Sequence, residues 1–327
     1  MTSDSAGAFR VPGLAPGRHA ISVVLDGFQK VEGTIDVPLG GIATFDVKLN
    51  PAGAVETVVV NATKPSKLTT ASTSFNLRGD EVNKLPIGRT PSLVAEFAPG
   101  LTNNTPNVNQ VTISGAMAYD NVFLLDGVDI GDNLLARPDD LFIEEAIDET
   151  QVLTSGVSAE YGRFSGGVVN LVSKRGGNLF SGAVRSNLSN AAWTDETPFE
   201  KANKQTRANK MDRYYEATLG GPLRKDRALF FGAVRAQKIA TPTTLAQTAA
   251  QVAATDEQNR SEFKLTATPL ANHTVQMQYT NRRQTKFGPS LPVTIDPTAT
   301  DTQSIPGTLL VANWNGVLKG RLFATAQ

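Results

Sequence analysis

Side chains able to do acid–base, nucleophilic or metal chemistry are few in this sequence, and they are scattered. Only two histidines occur, His19 and His273, and there is no cysteine. A histidine-centred metal site or a catalytic triad needs its members side by side, and these two stand in separate strand-like stretches. Gly156-Val157-Ser158-Ala159-Glu160 opens like the turn that presents a nucleophilic serine, but Glu160 occupies the place of the closing glycine. Asp126, Asp129 and Asp132 recur at every third position, whereas an EF-hand loop takes its ligands at alternate positions. These three read as turn formers, with a weak calcium site across Asp126–Asp132 as the alternative. Neither a phosphate-binding loop nor a complete dinucleotide fingerprint is present. The expectation is transport or binding rather than catalysis, with no cofactor and no metal.

Composition narrows the class further. The chain has 327 residues, with 31 Lys+Arg against 31 Asp+Glu, so no basic excess invites a nucleic-acid partner. The lack of cysteine rules out disulfide staples and suits a protein that crosses an oxidising compartment. No apolar run approaches the roughly 18 residues of a spanning helix, so any membrane role falls to strands. The opening residues, MTSDSAGAFRVPG, lack the basic start and apolar core of an export leader.

Periodicity supplies the elements. His19–Asp26, Lys30–Val37 and Ile42–Leu49 each alternate apolar and polar residues, which predicts three half-buried strands joined by glycine turns. Residues 51–67 read as a linker carrying one extended β-branched run, Glu56–Ala62, stopped by Lys64-Pro65. Two short helices are expected at Asp80–Leu85 and Thr90–Phe97, capped by Asp80 and Thr90. Val111–Ile113, Val122–Leu125, Gln151–Leu153 and Val168–Val172 are short strands between glycine- and Asp/Asn-rich turns, with a helix or turn within Asp139–Glu149.

Beyond Gly182 the texture is longer strands with one apolar and one polar face. Arg213–Gly221, Asn259–Thr268, Thr274–Arg282 and Asn313–Phe323 all show it; in the second, Phe263 and Leu265 oppose Arg260, Glu262 and Lys264. Short links at Pro222–Arg227 and Pro269–His273 alternate with long polar ones at Asn190–Asp212, Ile239–Gln258 and Thr285–Leu310. Strands of about ten residues with this alternation of links are the pattern of an outer-membrane barrel, in which the short turns are periplasmic.

Tyr119–Val128 reads Y-D-N-V-F-L-L-D-G-V, and Ala159–Asn178 reads A-E-Y-G-R-F-S-G-G-V-V-N-L-V-S-K-R-G-G-N. In that order the two stretches resemble the plug domain of TonB-dependent outer-membrane receptors, although Ile113-Ser114-Gly115 stands where many relatives carry Ile-Arg-Gly. FRVPGLAPGRHAISVVLDGFQ, Phe9–Gln29, resembles part of a carboxypeptidase-regulatory-like domain, a transthyretin-like sandwich, which points to the Oar-like branch.

The resemblance implies a mainly β chain in four parts. These are a partial sandwich over 1–50, the linker 51–67, an α+β plug over 68–174, and the first strands of an antiparallel transmembrane barrel over 175–327. It implies that Glu56, Thr57, Val58, Val59, Val60, Asn61 and Ala62 form a TonB box that pairs with the periplasmic TonB domain by strand addition. It also implies that Gly127, Gly162, Gly166 and Gly167 are structural turns of the plug, where tight turns and close backbone approach exclude side chains. The function implied is TonB-energised uptake of a small or oligomeric ligand across the Gram-negative outer membrane, in contact with its lipid. Loops such as Asn190–Asp212 would meet the ligand. On this reading the chain is expected to be truncated at both ends and too short to close a barrel. The alternative is a surface adhesin that recognises glycan or protein through the sandwich.

Overall fold

A computed structural model describes residues 7, 9, 11, 14, 17–37, 43–51, 73–105, 110–132, 134, 135, 137–159, 161–202, 209–240, 243–245, 251–270, 273–289, 296, 298–318 and 322–327. The chain folds as two compact units. The first comprises Met1–Leu124, Asn133–Arg137 and Glu149–Leu171; the second comprises Leu125–Asp132, Pro138–Asp148 and Val172–Gln327.

Alternating residues make the amino-terminal hairpin. Strand β1 (Gly17–Val23) pairs antiparallel with β2 (Val31–Val37), from Gly17 opposite Val37 to Val23 opposite Val31. The expected third strand is not one. Residues 43–50 form no ladder; the Gln29 amide donates to the Asn50 carbonyl at 2.8 Å, and Phe28 bridges Pro51. What this segment contributes is the buried Phe45 ring, which lies over Gly33 of β2 so closely that a Cβ there would sit 3.0 Å from it. Side-chain cover replaces edge pairing.

Next come β3 (Thr73–Arg78), α1 (Gly79–Val82), α2 (Pro91–Ala95), β4 (Leu101–Thr102), β5 (Thr112–Ile113), β6 (Val122–Leu125), β7 (Val128–Asp129), β8 (Ile147–Ser155) and β9 (Val168–Ser173). Five of them form one sheet in the order β3-β8-β9-β6-β7, with β3 antiparallel to β8. The β-branched runs expected as strands all lie in or overlap these strands. Val122, Leu124, Leu153 and Val168 make a buried cluster that Val157, Tyr161 and Phe164 partly cover. Asp80 is not a cap but lies inside α1; Arg78 is the N-cap, and its amide donates to Glu81 Oε2 at 2.9 Å. Thr90 does cap α2, ahead of Pro91, although its side chain makes no capping bond. Within 139–149 a 3-10 turn, Glu144–Ala146, leads directly into β8.

The four glycines expected as structural turns differ from one another in what surrounds them. Gly127 has φ +88°, a left-handed conformation, in the turn from β6 to β7. At Gly167 a Cβ would stand 2.6 Å from both Ile113 Cγ2 and the Leu153 carbonyl oxygen. At Gly166 it would collide with the carboxamide oxygen of Asn121, which itself accepts from the Gly167 amide at 3.2 Å. Gly162 has no described atom within 4 Å of that position and no positive φ, so nothing described requires glycine there.

In the second unit the strands run as an antiparallel meander. They are β10 (Ser181–Asn190), β11 (Met211–Arg224), β12 (Ala228–Ala240), the small hairpin β13 (Thr243–Thr244) and β14 (Gln251–Val252), then β15 (Thr255–Leu270), β16 (His273–Pro289), β17 (Thr300–Leu318) and β18 (Leu322–Ala326). The seven main strands pair in the order β10-β11-β12-β15-β16-β17-β18. Helix α3 (Pro198–Ala202) lies in the β10–β11 connection.

Two expectations about these strands are corrected. Asn313–Phe323 is not one strand: β17 ends at Leu318, which pairs with Leu322 across a hairpin. The strands also exceed ten residues, with 16 in β15, 17 in β16 and 19 in β17, so most of the expected loop Thr285–Leu310 is paired backbone. At about 3.4 Å per residue, 16 residues reach well past the roughly 30 Å hydrocarbon layer. Where both faces meet water the apolar alternation fades, while backbone pairing continues.

Gly167→Val is expected to destabilise its unit by about 1–3 kcal/mol, because backbone and Ile113 must both move. Gly162→Ala should change stability by less than about 0.5 kcal/mol. Urea-unfolding midpoints of the two variants would test this, and equal losses would refute it.

Candidate functional site

The sheet of the second unit buries many polar side chains and exposes many apolar ones. Along β15, Gln258, Arg260, Glu262, Lys264 and Thr266 are buried, while Asn259, Ser261 and Phe263 between them are exposed. Register carries the pattern across the sheet. Leu219, Gly232, Phe263, Tyr279 and Leu310 are successive partners on the exposed face. Leu310 is 68% exposed and Leu219 54%. A sheet in water would put such a row inside; in lipid it belongs outside.

The opposite face carries the site. Arg185, Glu216, Arg235, Arg260 and Arg282 are successive register partners across β10, β11, β12, β15 and β16. Neighbouring strands stand about 4.8 Å apart, so four guanidinium groups share one rung, and like charges directly opposite repel. Glu216, 3.0 Å from Arg235, is the one carboxylate of that rung.

The acids come from residues 138–148 of the same unit. Glu144 pairs with Arg235 and lies 3.4 Å from Arg260. Asp140 is also 3.4 Å from Arg260, and Asp139 pairs with Arg282. Glu145 accepts from Arg185 at 2.9 Å and lies 3.7 Å from Lys174. Arg260 further donates to the Phe142 carbonyl at 2.7 Å and stands 5.2 Å from the centroid of the Phe142 ring. Ile143 and Ala146 bury against Phe231 and Ala233 of β12, so the contact is apolar as well as ionic.

One rung pair along the sheet axis from Arg260, Lys264 holds a second contact. Its ammonium is 3.0 Å from Asp126 Oδ2 and also donates to the Ser173 carbonyl at 3.2 Å. Asp126 in turn accepts from the Ser173 amide at 3.1 Å and hydroxyl at 2.7 Å. Its φ is +49°, so it is a turn residue, but it is also a buried ion-pair partner. Asp129 is the simple turn former, accepting from the Gly131 amide at 2.8 Å. Beside this pair, burial lowers the pKa of the Arg175 guanidinium, against the charges of Asp148 and Asp126, which raise it.

The sequence-expected candidates are distributed otherwise. Glu56 to Ala62 lie outside the described residues. His19 belongs to the first unit and His273 to the second, where its ring stacks on Trp314, centroids 5.6 Å apart, and accepts from the indole N–H at 3.2 Å. Among the described residues no group of three or more His, Cys, Asp or Glu could hold a metal ion. The arginine rung was missed by sequence reasoning. Its two signals were the acidic run Asp139–Glu149 and the presence of charge, rather than Asn or Thr, on the polar face of the strands. This assembly holds opposite charges together.

Comparisons with known proteins agree with that geometry. Residues 172–316 match the family model of the outer membrane beta barrel domain. Over 253 residues the chain is 28% identical to the TonB-dependent transporter Oar of Myxococcus xanthus, covering 71% of this chain and 23% of that protein. Its fold is similar to the siderophore receptor PirA from Acinetobacter baumannii, with a TM-score of 0.58 at 16% identity over 75% of this chain and 38% of that one. The outer membrane transporter YddB from Escherichia coli gives 0.56 at 15% identity, over 75% and 37%. The fold is that of a TonB-dependent outer-membrane receptor. The chain is similar to Oar over the aligned residues, its sheet is part of an outer-membrane barrel, and the proteins it resembles are transporters and receptors. It spans about a quarter of the length of Oar and less than two-fifths of these solved receptors. Residues 138–148 are clamped to the polar face of the sheet, the face that an outer-membrane barrel turns to its lumen.

Lys264→Met would leave the Asp126 carboxylate buried without its cation, at a cost of about 3–5 kcal/mol. Adding Asp126→Asn should recover much of the loss, since asparagine tolerates the left-handed turn. Urea-unfolding midpoints of the single and double variants measure the coupling; strictly additive losses would show that the pair is not an interacting unit.

Proposed function

We propose that this protein takes up a ligand across the outer membrane, driven through TonB. Residues 138–148 serve as a latch on the lumen wall that must detach before the ligand passes. The observation that carries this reading is the clamp itself. Acids of 138–148 are held by arginines of the strands, through contacts mutually strong enough to close a path and yet made of separable charges.

In this proposal the parts are a carboxypeptidase-regulatory-like segment over 1–50, a linker over 51–67, a plug over 68–174 and barrel strands over 175–327. Glu56–Ala62 is the TonB box. Val58, Val59 and Val60 favour the extended state, and strand addition takes its affinity from the main chain. The gradient that drives transport reaches the receptor by pulling on this segment, so no nucleotide site is required.

The test uses the receptor expressed from its complete gene. Proline at Val58 or Val59 removes a donor and constrains the backbone, so energised uptake should be lost while ligand binding at the cell surface persists. Val58→Thr should retain uptake, because the backbone carries the contact. Normal uptake in both proline variants would overturn the TonB-box assignment, and unchanged uptake in cells without TonB would favour the adhesin or a passive channel.

A further inference from the structure

The rung of arginines has a property beyond holding the latch. Of its five members four are cationic, and all of the strand-borne neutralisation comes from Glu216. Further along the inward face of β15, Lys264 is already paired with Asp126. The other acids paired with the rung arginines, Asp139, Asp140, Glu144 and Glu145, all belong to residues 138–148. Detachment of 138–148 therefore removes the counter-charge but leaves the arginines in place on rigid strands.

Guanidinium groups spaced along a rung present forks of N–H donors that match carboxylate and phosphate oxygens, and they stay charged at any relevant pH. Apolar support is built in: Arg235 stands 5.2 Å from the centroid of the Tyr214 ring, which holds its plane. A cationic wall in a water-filled passage with low-dielectric sides concentrates anions and rejects cations.

We infer that the cargo of this receptor is anionic, a carboxylate- or phosphate-bearing ligand whose charges replace those of Asp139, Asp140 and Glu144 on the arginine rung during passage. The exchange breaks and forms ion pairs only, and between the two states the exposed arginines are solvated by water. This inference rests on the uptake reading for its physiological meaning, but its physical content, an anion-selective wall beneath the latch, is independent of TonB.

The experiment uses the complete receptor reconstituted in a planar bilayer without TonB, with chloride and potassium as the probe ions and a KCl gradient at low ionic strength to limit screening. The variant Asp139→Asn, Asp140→Asn, Glu144→Gln weakens the latch while sparing the arginines. Its conductance should favour chloride over potassium by about threefold or more. Adding Arg235→Gln, Arg260→Gln and Arg282→Gln should bring the permeability ratio to about one. Glu144→Gln alone, a milder change expected to insert normally, should shift the reversal potential in the same direction. Potassium preference in the latch variants, or a ratio that ignores loss of the arginines, would overturn the inference. Because TonB is absent, such a result would leave the energised-uptake reading standing, and a failure of the proline test would leave this one standing.

Discussion

Four arginines on one rung of a sheet are the constraint to which the second unit answers. Their side chains cannot face lipid, where a charge costs several kcal/mol, so the face that bears them must point inward. They cannot face one another without anions, so a segment rich in carboxylates must lie against them. The sheet's inside-out polarity and the placement of residues 138–148 on its polar face both answer that single requirement.

Strength and reversibility meet in the way the contact is built. A patch of leucines would bind 138–148 through surface removed from water, and separation would expose all of it at once. Here Ile143 and Ala146 supply a small apolar foothold on Phe231 and Ala233, and charge pairs supply the rest. Buried ion pairs are costly to break singly but gain solvation as water enters, so the barrier falls as detachment proceeds. On the proposed reading, such a clamp would hold at rest and give way as water and force reach its charges.

The sequence disclosed more of the strands than of the site. Phe263 and Leu265 against Arg260, Glu262 and Lys264 is a period-two pattern that any residue order displays, and it placed β15 and its faces. Short turns after Arg224 and Leu270 were legible for the same local reason. What could not be read was which arginine lies beside which. Arg185, Arg235, Arg260 and Arg282 are separated by tens of positions, and a shift of one residue in any strand would send its arginine to the lipid face. The acidic run Asp139–Glu149 read as a turn because its partners lie across that unreadable register. Local rules misjudged 313–323 too, since nothing in the alternation marks the hairpin that Leu318 and Leu322 close.

Residues 138–148 follow β7, which ends at Asp129, and run into β8, whose first residues are Ile147 and Asp148. A detached segment of this length cannot wander; it stays within a few nanometres of its arginines, at an effective concentration in the millimolar range. Reclosure is therefore a unimolecular loop motion, on a timescale of nanoseconds to microseconds unless something holds it off. On the proposed reading, an opening so short-lived would pass a molecule already poised beside the segment but leak little of anything else.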